Sequence, residues 1–270
     1  MTPALLRRLA IHGFVLIVVL LLDPNDVLQL FIVLGQAHFI LTYRYQTDAG
    51  WYTPKLLVVY GITLISLFYL ATTRQYDEYL VVVTATHFMI HYLFDEVKLF
   101  RRELDFSFIL IVFPIFFTFS YLIVSDQLGV SLPSVELLLG VAVACYAPIL
   151  LSRKLDWERV YFIAVFVAFV AASSFFWIST EKAFGYIILT HYLAWYVEYY
   201  VKINNAEQRK TYIWRVTYIN VGVIALYGAY VWMNIGALGY VFMPIYFYVW
   251  TLLHTLFSMR KQDYKVFAFR

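Results

Sequence analysis

The histidines of this chain have a spacing that metal chemistry would use. Between Thr84 and Lys98 the sequence TATHFMIHYLFDEVK places His87, His91 and Asp95 four residues apart, on one face of an apolar helix. Ionisable side chains are costly to bury in an apolar helix, so they mark a candidate functional site. The pair His87 and His91 predicts a metal chelate, because both rings emerge on the same face about one turn apart.

A short pattern recurs around three histidines. Each copy has a small residue, His, an aromatic residue and a Tyr four positions later: Ala37-His38-Phe39 with Tyr43, Thr86-His87-Phe88 with Tyr92, and Thr190-His191-Tyr192 with Tyr196. A fourth apolar segment carries the shorter Leu253-His254-Thr255. The recurrence on separate helices predicts that these imidazoles meet in one layer.

The distance of each histidine from the next basic residue predicts its depth. His38, His91 and His254 lie six or seven residues before that residue, and His87 and His191 lie eleven before it. At about 1.5 Å per residue these are two tiers in the cytosolic half, about one helical turn apart. Neutral imidazoles from several helices can coordinate a transition metal, so we expect these five to be ligands of iron, with zinc as the alternative.

Carboxylates and a tyrosine accompany these histidines. Asp95 and Glu198 lie on the same helix faces and could orient a ligand histidine through its second ring nitrogen, and Glu198 could also bind metal or move protons. Ion pairing with nearby lysines and arginines is the alternative for both. With Tyr43 they are the catalytic residues that we expect. His12, a lone histidine beside a glycine, is more typical of a supporting residue than of a ligand.

The composition requires a membrane. The chain is 63% hydrophobic and 20% aromatic but only 14% charged, with a mean hydropathy of +0.75, so too little polar surface remains to cover an apolar interior. We predict an all-α bundle of about ten transmembrane helices forming a single domain, residues 1–270. The predicted spans are about 9–22, 27–43, 55–71, 79–94, 107–125, 134–152, 158–178, 183–201, 213–232 and 240–258.

The basic residues give the orientation. If both termini are cytosolic, the outside loops hold only Arg74 and Lys182, which leaves 18 of the 20 lysines and arginines inside. The net charge of +3 then reflects membrane orientation, and no basic face for nucleic acid is visible. The lone Cys145 excludes a disulfide framework. Pro148 and Pro244 lie inside apolar spans, where a proline can kink a helix or be an ordinary membrane residue.

Other classes of site are weighed on their motifs. A Cys-x-x-Cys-His haem attachment site, a Gly-x-Ser-x-Gly elbow and a phosphate-binding glycine loop are missing from the sequence, although a haem clamped by two histidines stays open. A metal or proton transporter is the main alternative. It would need polar groups along the outer halves of the histidine helices, yet 27–35, 79–83 and 182–189 are mostly apolar, which favours a closed site.

The order of the histidine helices resembles that of the bacterial Brp/Blh β-carotene oxygenases, which are multi-pass membrane proteins. The likeness lies in an early His helix, a His-Phe helix before a basic loop, a late His helix and a final His helix. It implies iron held by His38, His87, His191 and His254 and cleavage of carotene to retinal. This chain departs from the family pattern in Ala37-His38-Phe39, where the family has Pro-His-Gly, and in the additional His91.

Together these features predict an iron-dependent oxygenase or oxidoreductase that acts on a lipid-phase substrate such as a carotenoid or another isoprenoid. Its other contacts would be membrane lipids. We expect an integral membrane protein, and the resemblance implies the inner membrane of a bacterium.

Overall fold

The computed structural model describes residues 3–100, 106–128, 135–151, 156, 157, 159–165, 167 and 179–258. These residues form helices and their connections, without a strand, so the all-α prediction is confirmed for the described part of the chain. The helices are α1 (Pro3–Leu21), α2 (Pro24–Asp48), α3 (Pro54–Thr73), α4 (Asp77–Phe100), α5 (Phe106–Leu128), α6 (Val135–Leu151), α7 (Thr180–Lys202), α8 (Ala206–Met233), α9 (Gly239–Phe242) and α10 (Pro244–Ser258). Most of the predicted span 158–178 lies outside the described residues.

Several helices are long and apolar enough to cross a membrane. Among the described residues these are α1, α2, α3 and α8. The segment Gly236–Phe242, which consists of a 3-10 turn and α9, makes a fifth together with α10 if that bent pair is one span. Shorter apolar stretches occur in α5 and α6, at Leu110–Tyr121 and Leu139–Leu151. This is compatible with an integral membrane protein, whereas the count of ten spans and the cytosolic termini stay predictions.

Local sequence signals set the helix ends. Thr53 accepts a hydrogen bond from the Leu56 amide at the start of α3, and Ser179 accepts one from the Lys182 amide at the start of α7. Asn205 caps α8 through two amides. Proline at the first position of α2 and α3 fits there because that amide has no partner within the helix. Arg74 and Asn234, both with a φ of 52°, end α3 and α8.

The packing places the histidine helices around one centre. Helix α2 packs against α7, α8 and α10, and α10 also packs against α3 and α4. Helix α1 lies against α7, and α5 joins α4 to α6. The aromatic rings of Phe31, Phe39, Phe88 and Phe247 are almost completely buried between these helices. The four helices α2, α4, α7 and α10 can therefore present side chains to a shared interior.

A break at Met243 separates α9 from α10 and turns the chain by 48°. Pro244 has no amide hydrogen, so the Tyr240 carbonyl four residues earlier has no helical donor there. The Trp250 indole donates to that carbonyl at 3.0 Å, and the Gln36 amide donates to the Val241 carbonyl at 2.7 Å. Pro244 therefore does kink its span, and side chains satisfy two of the backbone carbonyls at the break.

Candidate metal centre

Four histidines, one from each of α2, α4, α7 and α10, form a closed ring in the interior. The distances between neighbouring ring centres are 4.9 Å for His38 and His254, 5.4 Å for His254 and His91, 5.2 Å for His91 and His191, and 5.5 Å for His191 and His38. All four are at most 5% exposed. We call this set the histidine ring. The prediction that histidines of separate helices meet is confirmed for these four.

Several nitrogens of the histidine ring are unsatisfied. Within the described part of the chain, His38 Nδ1, His191 Nε2 and both nitrogens of His254 have no hydrogen-bond partner. A buried polar atom without a partner costs on the order of 1–3 kcal/mol. A bound metal ion would satisfy several of these nitrogens together, whereas packing alone satisfies none of them.

The aromatic residues of the repeated pattern hold the histidines of neighbouring helices. Tyr192 stacks on His38, with ring centres 4.7 Å apart and planes 28° apart, and Phe39 stacks on His254 at 4.8 Å and 27°. Phe88 meets His191 edge to face at 5.6 Å. Each aromatic residue that follows a histidine in sequence therefore contacts a histidine of another helix. This exchange explains the repeat, and it fixes the orientation of the imidazoles.

A carboxylate completes one edge of the histidine ring. His91 Nε2 lies 3.4 Å from Asp95 Oδ2, and His91 Nδ1 lies 3.4 Å from Ser258 Oγ. Potential ligand atoms of His91, Asp95 and His191 all lie within 4.8 Å of one another. The i, i+4 pair on α4 that meets the ring is therefore His91 with Asp95, rather than His87 with His91.

The other two histidines lie apart from the ring. His87 is half-buried, and it makes no ring contact with the four in the described structure; its Nε2 has no hydrogen-bond partner there. His12 is buried against α7, where its Nδ1 lies 2.6 Å from the Tyr186 hydroxyl. The distance to the next basic residue had grouped His87 with His191. In the structure His191 instead contacts His38 and His91, and His87 does not belong to this group.

Glu198 and Tyr43 border the site in different ways. Both carboxylate oxygens of Glu198 lie 3.1 Å from the Arg7 guanidinium, so α1 neutralises this acid. Glu198 therefore forms an ion pair, as one of the two sequence interpretations had it, but its partner Arg7 lies on another helix and was not predicted. The Tyr43 ring contacts His254 edge to face at 6.2 Å and Tyr60 edge to face at 5.9 Å.

A cleft reaches the histidine ring along one face of α7. Its volume is about 210 Å³, and its walls include Arg8, Asp95, His191, Trp195, Glu198 and Lys202. Lys202 is exposed whereas His191 is 3% exposed, so the cleft leads from the surface to the edge that carries Asp95. Arg8 is only 1% exposed. Its place in the site was missed, because the sequence signals only a basic pair near the N-terminus.

The spacing of the ring centres is compatible with imidazoles that share one ion, although the ligand atoms that lie within 4.8 Å of one another among the described residues are those of His91, Asp95 and His191. A metal–nitrogen bond of about 2.1 Å puts an imidazole centre roughly 3.2 Å from the metal, so two ligand rings at angles of about 90° to 180° are roughly 4.5–6.4 Å apart. The four observed spacings, from 4.9 to 5.5 Å, lie within that range. Two histidines and one carboxylate are a donor set typical of non-haem iron oxygenases, and imidazole also suits zinc and copper.

No protein family, curated protein or solved structure that was compared with this chain matches it. The resemblance to the β-carotene oxygenases therefore stays a prediction, and the arguments about function depend on the geometry of the site.

Proposed function

We propose that the chain is a membrane-embedded metalloprotein that oxidises a lipid-phase substrate, and that His91, Asp95 and His191 hold its metal. Iron is our first choice, and zinc is the alternative. The observation that carries the proposal is the meeting of these three side chains, with potential ligand atoms within 4.8 Å of one another, at an edge of the histidine ring that borders a cleft. Iron in such a donor set supplies oxygenase chemistry.

The chain's own residues would divide the remaining work. His38 and His254 have nitrogens without a hydrogen-bond partner among the described residues, and these could bind the ion or exchange protons near it. Tyr192 and Phe39 hold these two imidazoles in place by stacking, and the buried aromatic residues around them exclude water. Glu198, paired with Arg7, supports α7 and the wall of the cleft rather than acting as a free base.

The membrane topology and the substrate class belong to the same proposal. The division of basic residues, with only Arg74 and Lys182 outside, supports ten spans with cytosolic termini, which would put the mouth of the cleft near the cytosolic surface. Exposed apolar side chains on α3 and α8 would face lipid, so a substrate dissolved in the bilayer needs no aqueous route. A carotenoid or another isoprenoid in a bacterial inner membrane is the choice that the family resemblance supports.

Metal analysis of detergent-purified protein tests the proposal, with two matched variants on α4. His91→Gln removes a member of the ring, and His87→Gln makes the same change one turn away. We expect about one iron per chain in the wild type and in His87→Gln, and a loss of the metal in His91→Gln. Mass spectrometry of the metals and circular dichroism of each variant give the two readouts.

Four outcomes would contradict the proposal in whole or in part. Equal metal loss in the two variants would remove the distinction between the ring and His87. Zinc in place of iron would keep the metal site but contradict the oxidation, because zinc points to hydrolytic chemistry or transport. An absorbance band of bound porphyrin would point to haem. If no metal binds even after reconstitution, the ring is a proton relay or a polar core. When iron is found, oxygen consumption with and without a carotenoid tests the substrate class.

A further inference from the structure

We propose that Trp195 and Tyr199 form a pathway along α7 that passes single electrons from the protein surface to the metal centre. Such a pathway would reduce a centre that has been oxidised in the absence of substrate, and it would leave the resulting radical at the surface instead of in the histidine ring. This protective role rests on the proposed function, but electron exchange between the two side chains does not.

The pathway begins with a regular spacing on α7. His191, Trp195 and Tyr199 are four residues apart, so they lie on one face of the helix. Tyr199 lies about 12 Å beyond His191 along the helix axis, at a rise of about 1.5 Å per residue. His191 is 3% exposed whereas Tyr199 is 36% exposed. One helix face therefore leads from the buried histidine ring to the surface.

Ring contacts connect the steps of the pathway. The Trp195 indole meets the His38 imidazole edge to face with centres 4.9 Å apart, and it stacks on the Tyr199 ring at 5.4 Å with planes 22° apart. Tyr45 of α2 also contacts both rings, at 6.2 Å from Trp195 and 4.9 Å from Tyr199. Because electron transfer slows exponentially with distance, aromatic rings in contact exchange electrons far faster than separated ones. The contacts thus form a continuous route between His38 and the surface.

The chemistry of these rings differs from that of the buried aromatic core. Tryptophan and tyrosine can lose one electron to a strong biological oxidant, whereas phenylalanine cannot. The stack beside His254 passes to Phe39 at 4.8 Å and then to Phe247 at 5.7 Å, and both phenylalanines are at most 2% exposed. That stack is neither oxidisable nor accessible, so the oxidisable rings follow the route that reaches the surface.

A second row of tyrosines leaves the histidine ring beside His254. Tyr43 contacts His254 at 6.2 Å and Tyr60 at 5.9 Å, both edge to face. These spacings are wider than the two contacts of Trp195, at 4.9 and 5.4 Å. The Trp195 route is therefore the faster of the two, and the row through Tyr43 is the alternative that the experiment must separate.

The outer end of the pathway allows a proton to leave. A tyrosine that loses an electron also releases its phenolic proton. Tyr199 and Trp195 lie in the wall of the 210 Å³ cleft, so water in the cleft can take this proton. Tyr212 stacks on Tyr199 at 5.2 Å, but it is 5% exposed and its hydroxyl donates to the Tyr196 carbonyl at 2.9 Å. Tyr199 is thus the residue at which the radical would come to rest.

Electrons and protons balance over three steps. Trp195 gives one electron to the iron centre that oxygen or a peroxide has oxidised, and its indole becomes a radical cation. Tyr199 gives one electron to Trp195 and its phenolic proton to water, which leaves a neutral tyrosyl radical. A soluble thiol donates a hydrogen atom to this radical and restores the phenol, and the thiyl radicals of two turnovers combine to a disulfide. In the predicted topology this end faces the cytosol, where thiols are kept reduced.

Hydrogen peroxide added to iron-loaded protein without substrate tests the pathway. Electron paramagnetic resonance of rapidly frozen samples detects the radical, and deuterated tyrosine or tryptophan identifies its residue type. Peptide mass spectrometry then measures oxidation of the ring histidines. We expect a tyrosyl radical at Tyr199 in the wild type, and glutathione, a soluble thiol, should remove it.

Phenylalanine variants separate electron transfer from packing. Tyr199→Phe should abolish the radical, and Trp195→Phe should abolish it and increase the oxidation of His38. An anchor at the membrane interface, the other usual role of these residue types, needs no oxidisable ring and would not change either readout. Trp195→Tyr should restore the radical and the protection. Trp214→Phe and Tyr69→Phe are the matched controls, since these side chains are 62% and 68% exposed on other helices; both should behave like the wild type.

Pulse radiolysis of metal-free protein tests the electron exchange by itself. Azide radicals oxidise tryptophan before tyrosine, and the two protein radicals are distinguished by their absorption spectra. The wild type should convert a tryptophan radical into a tyrosyl radical at a rate that does not depend on protein concentration. Trp195→Phe and Tyr199→Phe should each lose this conversion. Tyr199→Phe removes only a hydroxyl from a partly exposed ring, so it provides the test if Trp195→Phe does not fold.

The two measurements separate this inference from the proposed function. Equal conversion in the wild type, Trp195→Phe and Tyr199→Phe overturns the pathway, whatever the metal content. A peroxide-generated radical at Tyr60 that persists in Trp195→Phe also overturns it, and assigns the role to the row through Tyr43. If no iron binds, while the conversion depends on both residues, the electron exchange is supported and only the metal proposal falls.

Discussion

The histidine ring and the surroundings of His12 are two ways of burying imidazole in the same bundle. At His12 the buried ring lies against two tyrosines, with centres 5.5 and 5.6 Å away, and the Tyr186 hydroxyl lies 2.6 Å from Nδ1. The Nε2 of His12 has no partner among the described residues. In the histidine ring each imidazole faces two others, and both nitrogens of His254, rather than one, lack a hydrogen-bond partner among the described residues.

The difference between the two regions shows that a group of facing imidazoles, rather than burial of a histidine, indicates a functional site. Both regions are buried and both are rich in aromatic residues, so burial alone does not separate them. A histidine that meets a tyrosine hydroxyl has an interaction that a packed helical core readily supplies. Four histidines that face one another leave several ring nitrogens without a partner among the described residues, and a bound ligand would satisfy them.

The largest expected contrast is in metal affinity. His254→Gln should lower the affinity for metal by roughly 10- to 100-fold, because it removes an imidazole of the histidine ring. His12→Gln should leave the affinity unchanged. Titration of metal-free protein with iron or zinc, followed by equilibrium dialysis, measures both. If the two variants lose affinity equally, the proposed difference between the regions is wrong.

The next contrast concerns two glycines that accompany these histidines. A Cβ at Gly35 would lie 2.6 Å from both the Tyr192 hydroxyl and Phe247 Cε2, whereas a Cβ at Gly13 would have nothing within 4 Å. Gly35→Ala should therefore destabilise the protein by about 1–3 kcal/mol through overpacking and should disturb the stacking on His38.

Gly13→Ala is the control and should be neutral or slightly stabilising, because alanine favours the helix that contains it. Thermal unfolding in detergent compares the two glycine variants, and the metal content of each reports on the ring. A tolerated Gly35→Ala would mean that Tyr192 and Phe247 can move without cost, and the stacking would then not fix the imidazoles.

The smallest expected effect is a change in the stability of the folded protein, and this change has opposite signs in the two regions. In metal-free protein, His254→Leu should raise the stability by about 1 kcal/mol, since it replaces a buried imidazole whose nitrogens have no hydrogen-bond partner in the part of the chain that the structure describes. His12→Phe should lower it by about 1 kcal/mol, since the contact with the Tyr186 hydroxyl is lost. Unfolding of both variants in the presence of a chelator measures the difference. A loss of stability in both would show that His254 is satisfied without metal.

The sequence allowed the fold class and the participating helices to be predicted, but not the membership of the ring. Apolar periodicity and the repeated His-aromatic pattern indicate which helices converge. The count from the next basic residue grouped His87 with His191, but His191 contacts His38 and His91 whereas His87 has no ring contact with these histidines among the described residues. Such a count follows one helix and does not contain the neighbours of that helix, so it could not give the membership of the ring.

The contacts between helices that are distant in sequence could not be predicted. The role of Glu198 was predicted from residues on its own helix and in the adjacent loop. Its ion-pair partner is Arg7, which is far away in sequence. Similarly, Arg8 carries no local signal of its place beside His191. The exchange of aromatic residues between the repeats depends on which helices are neighbours, and a repeat in one chain does not contain that information.

The position of α10 in the chain has a consequence for biosynthesis. Helix α10 follows α2, α4 and α7 in sequence, and it packs against α2, α3 and α4. Three members of the histidine ring are therefore translated before His254, and the ring is incomplete until α10 packs against α2 and α4. If the ring holds a metal, as we propose, completion of the site depends on the one of its four helices that is synthesised last.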